Sequence, residues 1–210
     1  MPTTDSKVTP KKTRKHGPHK KTARRRQQIL EAATQVFGAK GFYAGSLKDI
    51  AALVGMTHSG ILHHFGSKQQ LLQAVISYRD QSEADQANAA RGLDLFQHLI
   101  DTARANTARP GIVQTYVVLS AESVTDDHPG ESYFTERFAG LRQMILDQLR
   151  LLTPADHPMP EPLLAASACN IIALMDGLQI QWLLDPAAVD LTAATASGIE
   201  AILAAVMAGA

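Results

Sequence analysis

Residues 46–65, SLKDIAALVGMTHSGILHHF, read as two short helices joined by a glycine turn. Ser46 can cap the first helix, and Asp49 three residues later completes a capping box, each side chain satisfying the other residue's orphan amide. Ile50, Ala51, Leu53 and Val54 give this helix an apolar face. Gly55 breaks it, Met56 packs in the turn, and Thr57 can cap a second helix. That helix carries His58, Ser59, Gly60, His63 and His64, with Ile61, Leu62 and Phe65 as its apolar part. A short, half-polar helix buries too little surface to form for its own stability. It makes sense as the reading helix of a helix-turn-helix, laid in the major groove of DNA.

The flanks extend the unit. Upstream, Ile29, Leu30, Ala33, Val36 and Phe37 share one face of a helix that Gly41 should stop. Downstream, Ser67 and Gln70 form a second capping-box pattern and restart a helix with Lys68, Leu71 and Leu72.

Over residues 29–72 the chain resembles the DNA-binding domain of the TetR family of bacterial one-component repressors. Ile29, Leu30, Ala32, Ala33, Val36, Phe37, Gly41, Ser46, Asp49, Ile50, Ala51, Gly55, Met56, Gly60, His64, Phe65, Ser67 and Lys68 carry the resemblance. It implies an all-α protein, with an N-terminal three-helix DNA-binding domain and a C-terminal helical domain for ligand binding and dimerisation. It also implies a homodimer through the last two helices and an effector pocket among helices four to eight, where a ligand changes the spacing of the two headpieces. Two positions depart from the family pattern. A frequent tyrosine is replaced by Leu62, which can only pack, and the next aromatic is His63, which keeps a ring and gains a donor.

Composition agrees with an all-helical chain of 210 residues: 45% hydrophobic but only 5% aromatic, rich in alanine and leucine. The net charge of zero hides a dipole. Residues 1–28 hold ten lysines and arginines against Asp5 alone, and the rest holds ten basic and nineteen acidic residues. This split predicts a basic arm for nucleic acid and an acidic body that does not stick to it. The lone Cys169, in the apolar run AASACNIIALM, is expected to be a buried core thiol and fits a reducing cytoplasm. No uninterrupted run of about 18 apolar residues is evident, so neither a spanning helix nor a membrane partner is expected. The basic N-terminus lacks the apolar stretch of a secretory signal.

Along the chain, residues 1–21 read as a disordered basic tail, 22–67 as the DNA-binding domain and 68–210 as the helical body. Helix one should cover 22–40 and helix four 68–90. Five further helices follow, at 93–107, from Pro110, over 133–152, over 163–185 before Pro186, and from a cap at Asp190. The loop DDHPGES and the four-proline connector TPADHPMPEP separate them. The 163–185 helix is apolar nearly all round, which requires burial on more than one side.

Candidate DNA contacts are Arg24, Arg25, Arg26, Ser46, Lys48, Thr57, His58, Ser59, Gly60, Ile61, His63, His64 and Lys68. The cations suit phosphates, Thr57 and Ser59 offer hydroxyls, and His58 is the best base reader. Gly60 allows close backbone approach, and Ile61 meets either a thymine methyl or the domain core. Lys68 and Lys48 each lie near a helix N-terminus, where an ammonium and amides can hold one phosphate. His58, His63 and His64 do not stack at the four-residue spacing of a helical metal site, and Asp126, Asp127 and His128 read as a turn.

Candidate effector-binding residues are polar or aromatic groups within apolar helices. They are Gln114, Tyr116, Glu122, Phe134, Arg137, Phe138, Arg142, Asn170, Met175, Asp176, Gln179 and Trp182. No catalytic motif is present, and no metal or cofactor is expected. The expected function is a transcriptional repressor, released from a palindromic operator by a small, partly apolar organic effector. A ligand-independent activator or nucleoid-type DNA-binding protein is the alternative.

Overall fold

The computed structural model describes residues 18–81 and 90–209. Nine helices and no strands occur among them: α1 (Pro18–Ala44), α2 (Leu47–Val54), α3 (His58–Phe65), α4 (Lys68–Gln81), α5 (Leu93–Thr107), α6 (Pro110–Glu122), α7 (Glu131–Leu152), α8 (Glu161–Leu184) and α9 (Leu191–Ala208). Most of the expected tail, residues 1–17, and residues 82–89 of the expected helix four lie outside the described residues; Ala90, its expected end, is not helical. α1 begins at Pro18, so residues 18–21 continue the helix rather than the tail.

Local chemistry sets the helix ends. Ser46 and Asp49 form the capping box of α2: Asp49 N–H donates to Ser46 Oγ at 3.1 Å, and Ser46 N–H to Asp49 Oδ2 at 3.3 Å. Gly55 adopts φ 64°, ψ 40°, a left-handed conformation that glycine enters without Cβ strain. Thr57 Oγ1 caps α3 by accepting from Gly60 N–H at 3.1 Å. Ser67 Oγ accepts from Gln70 N–H at 3.0 Å at the start of α4, and Asp190 accepts from Ala193 N–H at 3.0 Å at α9. Gly41 interrupts α1 with φ 72°, and the last residues of the helix set off in a new direction.

The headpiece and body share their core. Ile29, Ala33, Phe37, Ile50, Ile61, Phe65, Leu71 and Leu72 are buried together with Tyr116 and Leu119 of α6 and Phe134 of α7. α1 packs more extensively on α6 than on α2 or α4. At this crossing Thr115 Oγ1 lies 2.8 Å from the carbonyls of both Thr34 and Gly111. Gly38 leaves the space that the Thr115 side chain occupies. A second core joins α5, α7, α8 and α9 through Phe96, Ile145, Leu149, Ile171, Ile199 and Leu203. A smaller cluster places Trp182 and Leu191 against Ala103 and Val113.

Two sequence expectations, those for Cys169 and for membrane-length helices, need correction, and burial of α8 on more than one side would take a neighbour outside the protomer. Within one protomer α8 is buried on one side only: Leu164, Ala168, Ile171, Gln179 and Trp182 face inward, while Leu163, Ile180 and Leu184 are exposed. Cys169 lies on that outer side and is exposed, because an all-apolar helix does not reveal which of its faces the fold uses. By length and mean hydropathy (1.6 each) α8 and α9 are also both apolar enough to cross a membrane. Short polar residues within them do not lower the average enough to prevent it. Here they pack on each other and on α7, with part of each in the body core.

The Gly38–Thr115 crossing yields a stability prediction. In Gly38→Ala the new methyl must displace Thr115, an overpacking cost of about 1–3 kcal/mol. The better helix propensity of alanine offsets up to about 1 kcal/mol of it. The urea midpoint should therefore fall, and an unchanged or higher midpoint would show that α1 and α6 separate freely.

Candidate nucleic-acid interface

α3 divides its residues between two faces. Ile61 and Phe65 are buried in the shared core, while His58, Ser59 and His63 are exposed and Leu62 and His64 half-buried. Ile61 therefore takes the packing side of its two expected roles, because helical spacing pairs it with Phe65. Gly60 also lies close to the turn: a Cβ there would be 3.0 Å from Met56 Cε. The rings of His63 and His64 meet edge to face at 5.7 Å between centroids.

The basic residues around α3 divide in a way their spacing does not reveal. Arg24 and Lys48 are exposed. Arg25 donates to Gln28 Oε1 at 3.1 Å and to the Val54 carbonyl at the end of α2 at 3.4 Å. Arg26 donates to the His64 carbonyl at 2.6 Å, and its guanidinium lies 3.9 Å from the Phe65 ring centroid. Two of the three arginines thus tie α1 to the C-terminal carbonyls of α2 and α3, where cations are favoured by the helix dipole. Lys68 donates to the Tyr43 carbonyl at 3.3 Å and sits 4.5 Å from the Phe42 ring centroid. Burial lowers its pKa, and the nearby Glu122 carboxylate opposes that shift. Lys40 pairs with Asp49 at 3.0 Å, and this contact, with the Ser46 hydrogen bonds, holds the Asp49 carboxyl below its ordinary pKa.

The aromatic cluster beside this face joins headpiece to body. His128 is buried with its ring edge-on to Phe42 and to Tyr43, at 5.4 Å in each case. Gly130 N–H donates to His128 Nδ1 at 3.0 Å, which assigns the proton of the neutral ring to Nε2. Nε2 lies 3.8 Å from Glu122 Oε2. Burial lowers the His128 pKa, and Glu122 acts in the opposite direction. Glu122, expected among the effector residues, instead accepts from Phe42 N–H at 2.6 Å. Its position at the last turn of α6 carries it past the body interior to the headpiece. Asp126 and Asp127 are exposed in the loop and His128 is not, so this turn conceals a packing residue.

An interior cavity of about 20 Å³ lies among Thr34, Val75, Ile76, Thr115, Tyr116, Leu119 and Phe134. Thr34, Tyr78 and Ile112 also line an outer groove of about 410 Å³, so the groove and the cavity share a wall. Of the expected effector residues, Tyr116 and Phe134 line the cavity and Gln114 the groove. Phe138 packs 6.4 Å from Phe134, and the Arg137 guanidinium lies 5.5 Å from the Tyr116 ring. The others do not join them. Arg142 and Asn170 are exposed on the outside of their helices; Met175 and Trp182 pack in body clusters; Asp176 is half-buried and Gln179 buried on α8. Sequence spacing missed Thr34, Val75, Ile76, Tyr78 and Thr115, because a wall shared by three helices leaves no periodic signal in any one of them.

The family profile described as "Bacterial regulatory proteins, tetR family" matches residues 29–75. The chain is 30% identical over 180 residues to the HTH-type transcriptional regulator BetI of Rhizobium meliloti, covering 82% of this chain and 84% of that protein. It is also 30% identical over 181 residues to the regulator TtgR of Pseudomonas putida, covering 79% and 83%. Two solved structures share the fold. A SmeT–triclosan complex has a TM-score of 0.71 at 18% identity, covering 86% of this chain and 90% of that one. NalD, the secondary repressor of the MexAB-OprM multidrug efflux pump in Pseudomonas aeruginosa, has 0.62 at 21%, covering 87% and 96%.

The two kinds of arginine should separate in mutagenesis. Arg26→Ala removes a hydrogen bond and a ring contact and should cost about 1 kcal/mol of stability. Arg24→Ala should change stability by less than about 0.5 kcal/mol. Urea unfolding followed by circular dichroism measures both, and equal losses would remove Arg26 as a tie between α1 and α3.

Proposed function

Because this chain belongs to the TetR family of bacterial transcriptional regulators, we propose that it is a homodimeric repressor that binds a palindromic operator and releases it when a small organic effector binds. The observation that carries this reading is the division of α3: its inner residues hold the shared core, and its outer residues are polar and exposed. His58, Ser59 and His63 are the base readers, Thr57 adds a hydroxyl at the helix start, and Arg24, Lys48 and Ser46 meet phosphates. Tyr43, 56% exposed next to Lys68, joins them as a residue that sequence spacing did not single out. Arg25, Arg26 and Lys68 set the headpiece geometry and add positive potential beside the DNA. His64 has a half-buried ring and a carbonyl held by Arg26, which supports a structural role. The protein acts in the cytoplasm, on double-stranded DNA.

Dimerisation through α8 and α9 accounts for their exposed apolar residues. Leu163, Ile180 and Leu184 of α8 and Met207 of α9 are 45–81% exposed in a single protomer. Contiguous exposed apolar surface on long helices marks an interface. A twofold pair of headpieces doubles the operator and makes it a palindrome.

For the effector, the outer groove between α1, α4 and α6 supports a partly apolar, aromatic ligand against Tyr78 and Ile112 with Gln114 as a polar partner, and Tyr116 and Phe134 lie behind it around the small cavity. The outer volume falls in the range of small-molecule sites. The SmeT complex with triclosan offers a precedent within this fold.

Selection from random duplexes should yield a palindrome. If each subunit neutralises about four phosphates, the slope of log K against log salt should be about −7. His58→Ala should relax preference at one position per half-site at a cost of about 1–3 kcal/mol. Ile180→Glu should give a monomer that binds that duplex poorly. No preferred duplex, or a slope near zero, would sink the regulator reading.

The effector reading is tested by release of the selected duplex in a screen of planar phenols and sugar phosphates. Phenols should release it, and Phe134→Ala should weaken the response. Release by sugar phosphates alone would overturn this pocket, and no release by any compound would favour the ligand-independent alternative.

A further inference from the structure

We propose that Glu122 is the positioning residue through which the body fixes the angle of the DNA-reading headpiece. This rests on the operator-binding reading above and adds to it the physical link between α6 and the helix-turn-helix.

The geometry is specific. Gly41 turns the chain with φ 72° at the end of α1, and the next amide, that of Phe42, donates to Glu122 Oε2 at 2.6 Å. Any side chain at position 41 would collide with the Glu122 carboxylate, so the glycine and the acid fit each other. Phe42 and Tyr43 are then held from two sides. His128, in the loop after α6, packs against both rings, and Lys68, at the start of α4, donates to the Tyr43 carbonyl and lies over the Phe42 ring. Glu122 lies 3.8 Å from His128 Nε2 and acts electrostatically on the ammonium of Lys68, while Tyr43, the third titratable group of the cluster, packs on His128. Three residues beyond Tyr43, Ser46 caps α2. The segment that launches the helix-turn-helix is therefore anchored to the C-terminal turn of α6.

The other end of this lever is the cavity. Thr115, Tyr116 and Leu119 of α6 line it, one to two turns before Glu122. Displacement of α6 by an occupant moves the carboxylate, and the hydrogen bond to Phe42 N–H carries that movement to residues 42–46. Charge-assisted hydrogen bonds are stronger than neutral ones and directional, which suits a link that transmits position. Without it each headpiece swings more freely and fits wrong half-site spacings as readily as the right one.

The test compares the duplex selected by the wild-type protein with the same duplex carrying one extra base pair at its centre. Glu122→Ala should lose about tenfold of the wild-type discrimination between them, in line with loss of one hydrogen bond to a charged group. Glu122→Gln keeps an acceptor oxygen and should retain discrimination within about threefold. Glu122→Ala discriminating like wild type, or losing affinity equally for both duplexes, would overturn the proposal; the second result is what a merely structural residue gives. Should Glu122→Ala fail to fold, hydrogen exchange on the wild-type protein decides. DNA binding should slow exchange across residues 119–128 as well as 46–65, and no change at 119–128 overturns the link. A wild-type protein that prefers no duplex fails the regulator reading itself, a different result from any of these.

Discussion

The packing of α1 against α6 is the constraint on which the rest of the molecule depends. α1 turns Ile29, Ala33 and Phe37 toward the helix-turn-helix and Thr34 and Gly38 toward the body. Because Tyr116, Leu119 and Phe134 complete the headpiece core, the reading unit lacks a closed core of its own. α6 thereby borders the same buried cluster that holds Ile61 and Phe65 of α3, in an interior packed densely enough that a change at one side is not easily absorbed. The cavity, the groove and the Glu122 contact all border this crossing.

The charged residues follow the same division. Arg25 and Arg26 reach the C-termini of α2 and α3, so exposed cations hold the headpiece helices together. This arrangement does two things with one kind of residue: it fixes the angle between three short helices and raises the positive potential of the face. It also explains why a run of three arginines need not mean three phosphate contacts. A guanidinium can lie on an aromatic face and still donate along its edge, as Arg26 does with Phe65 and the His64 carbonyl.

Much of this was legible in the sequence because it is local. Ser46 and Asp49, Thr57 and Gly60, Gly55 and Gly41 act within three or four residues, and spacing alone reports such pairs. Pro110 and Asp190 marked helix starts for the same reason. The interface was less legible. Spacing alone leaves Ile61 two faces to choose from, and packing with Phe65 in the shared core decides between them. What the sequence did not reveal are contacts between distant segments: Phe42 with Glu122, Arg26 with His64, Thr34 with Thr115. Composition misled at α8, where Cys169 and its neighbours are apolar or small on every side and no pattern separates the face turned to the core from the face turned away.

The split faces of α3 bear on how such a protein can change over time. Ile61 and Phe65 carry the packing of that helix, and Thr57 its cap, while His58 and Ser59 carry none of it and His63 only an exposed ring contact with His64. Substitutions at the outer positions are close to neutral for stability, as is usual for exposed sites without structural partners. Mutation can therefore explore new combinations there without first acquiring compensating changes in the core. The vocabulary of the reading helix is free to drift or be rewritten, by selection or by an engineer, while its grammar stays fixed underneath.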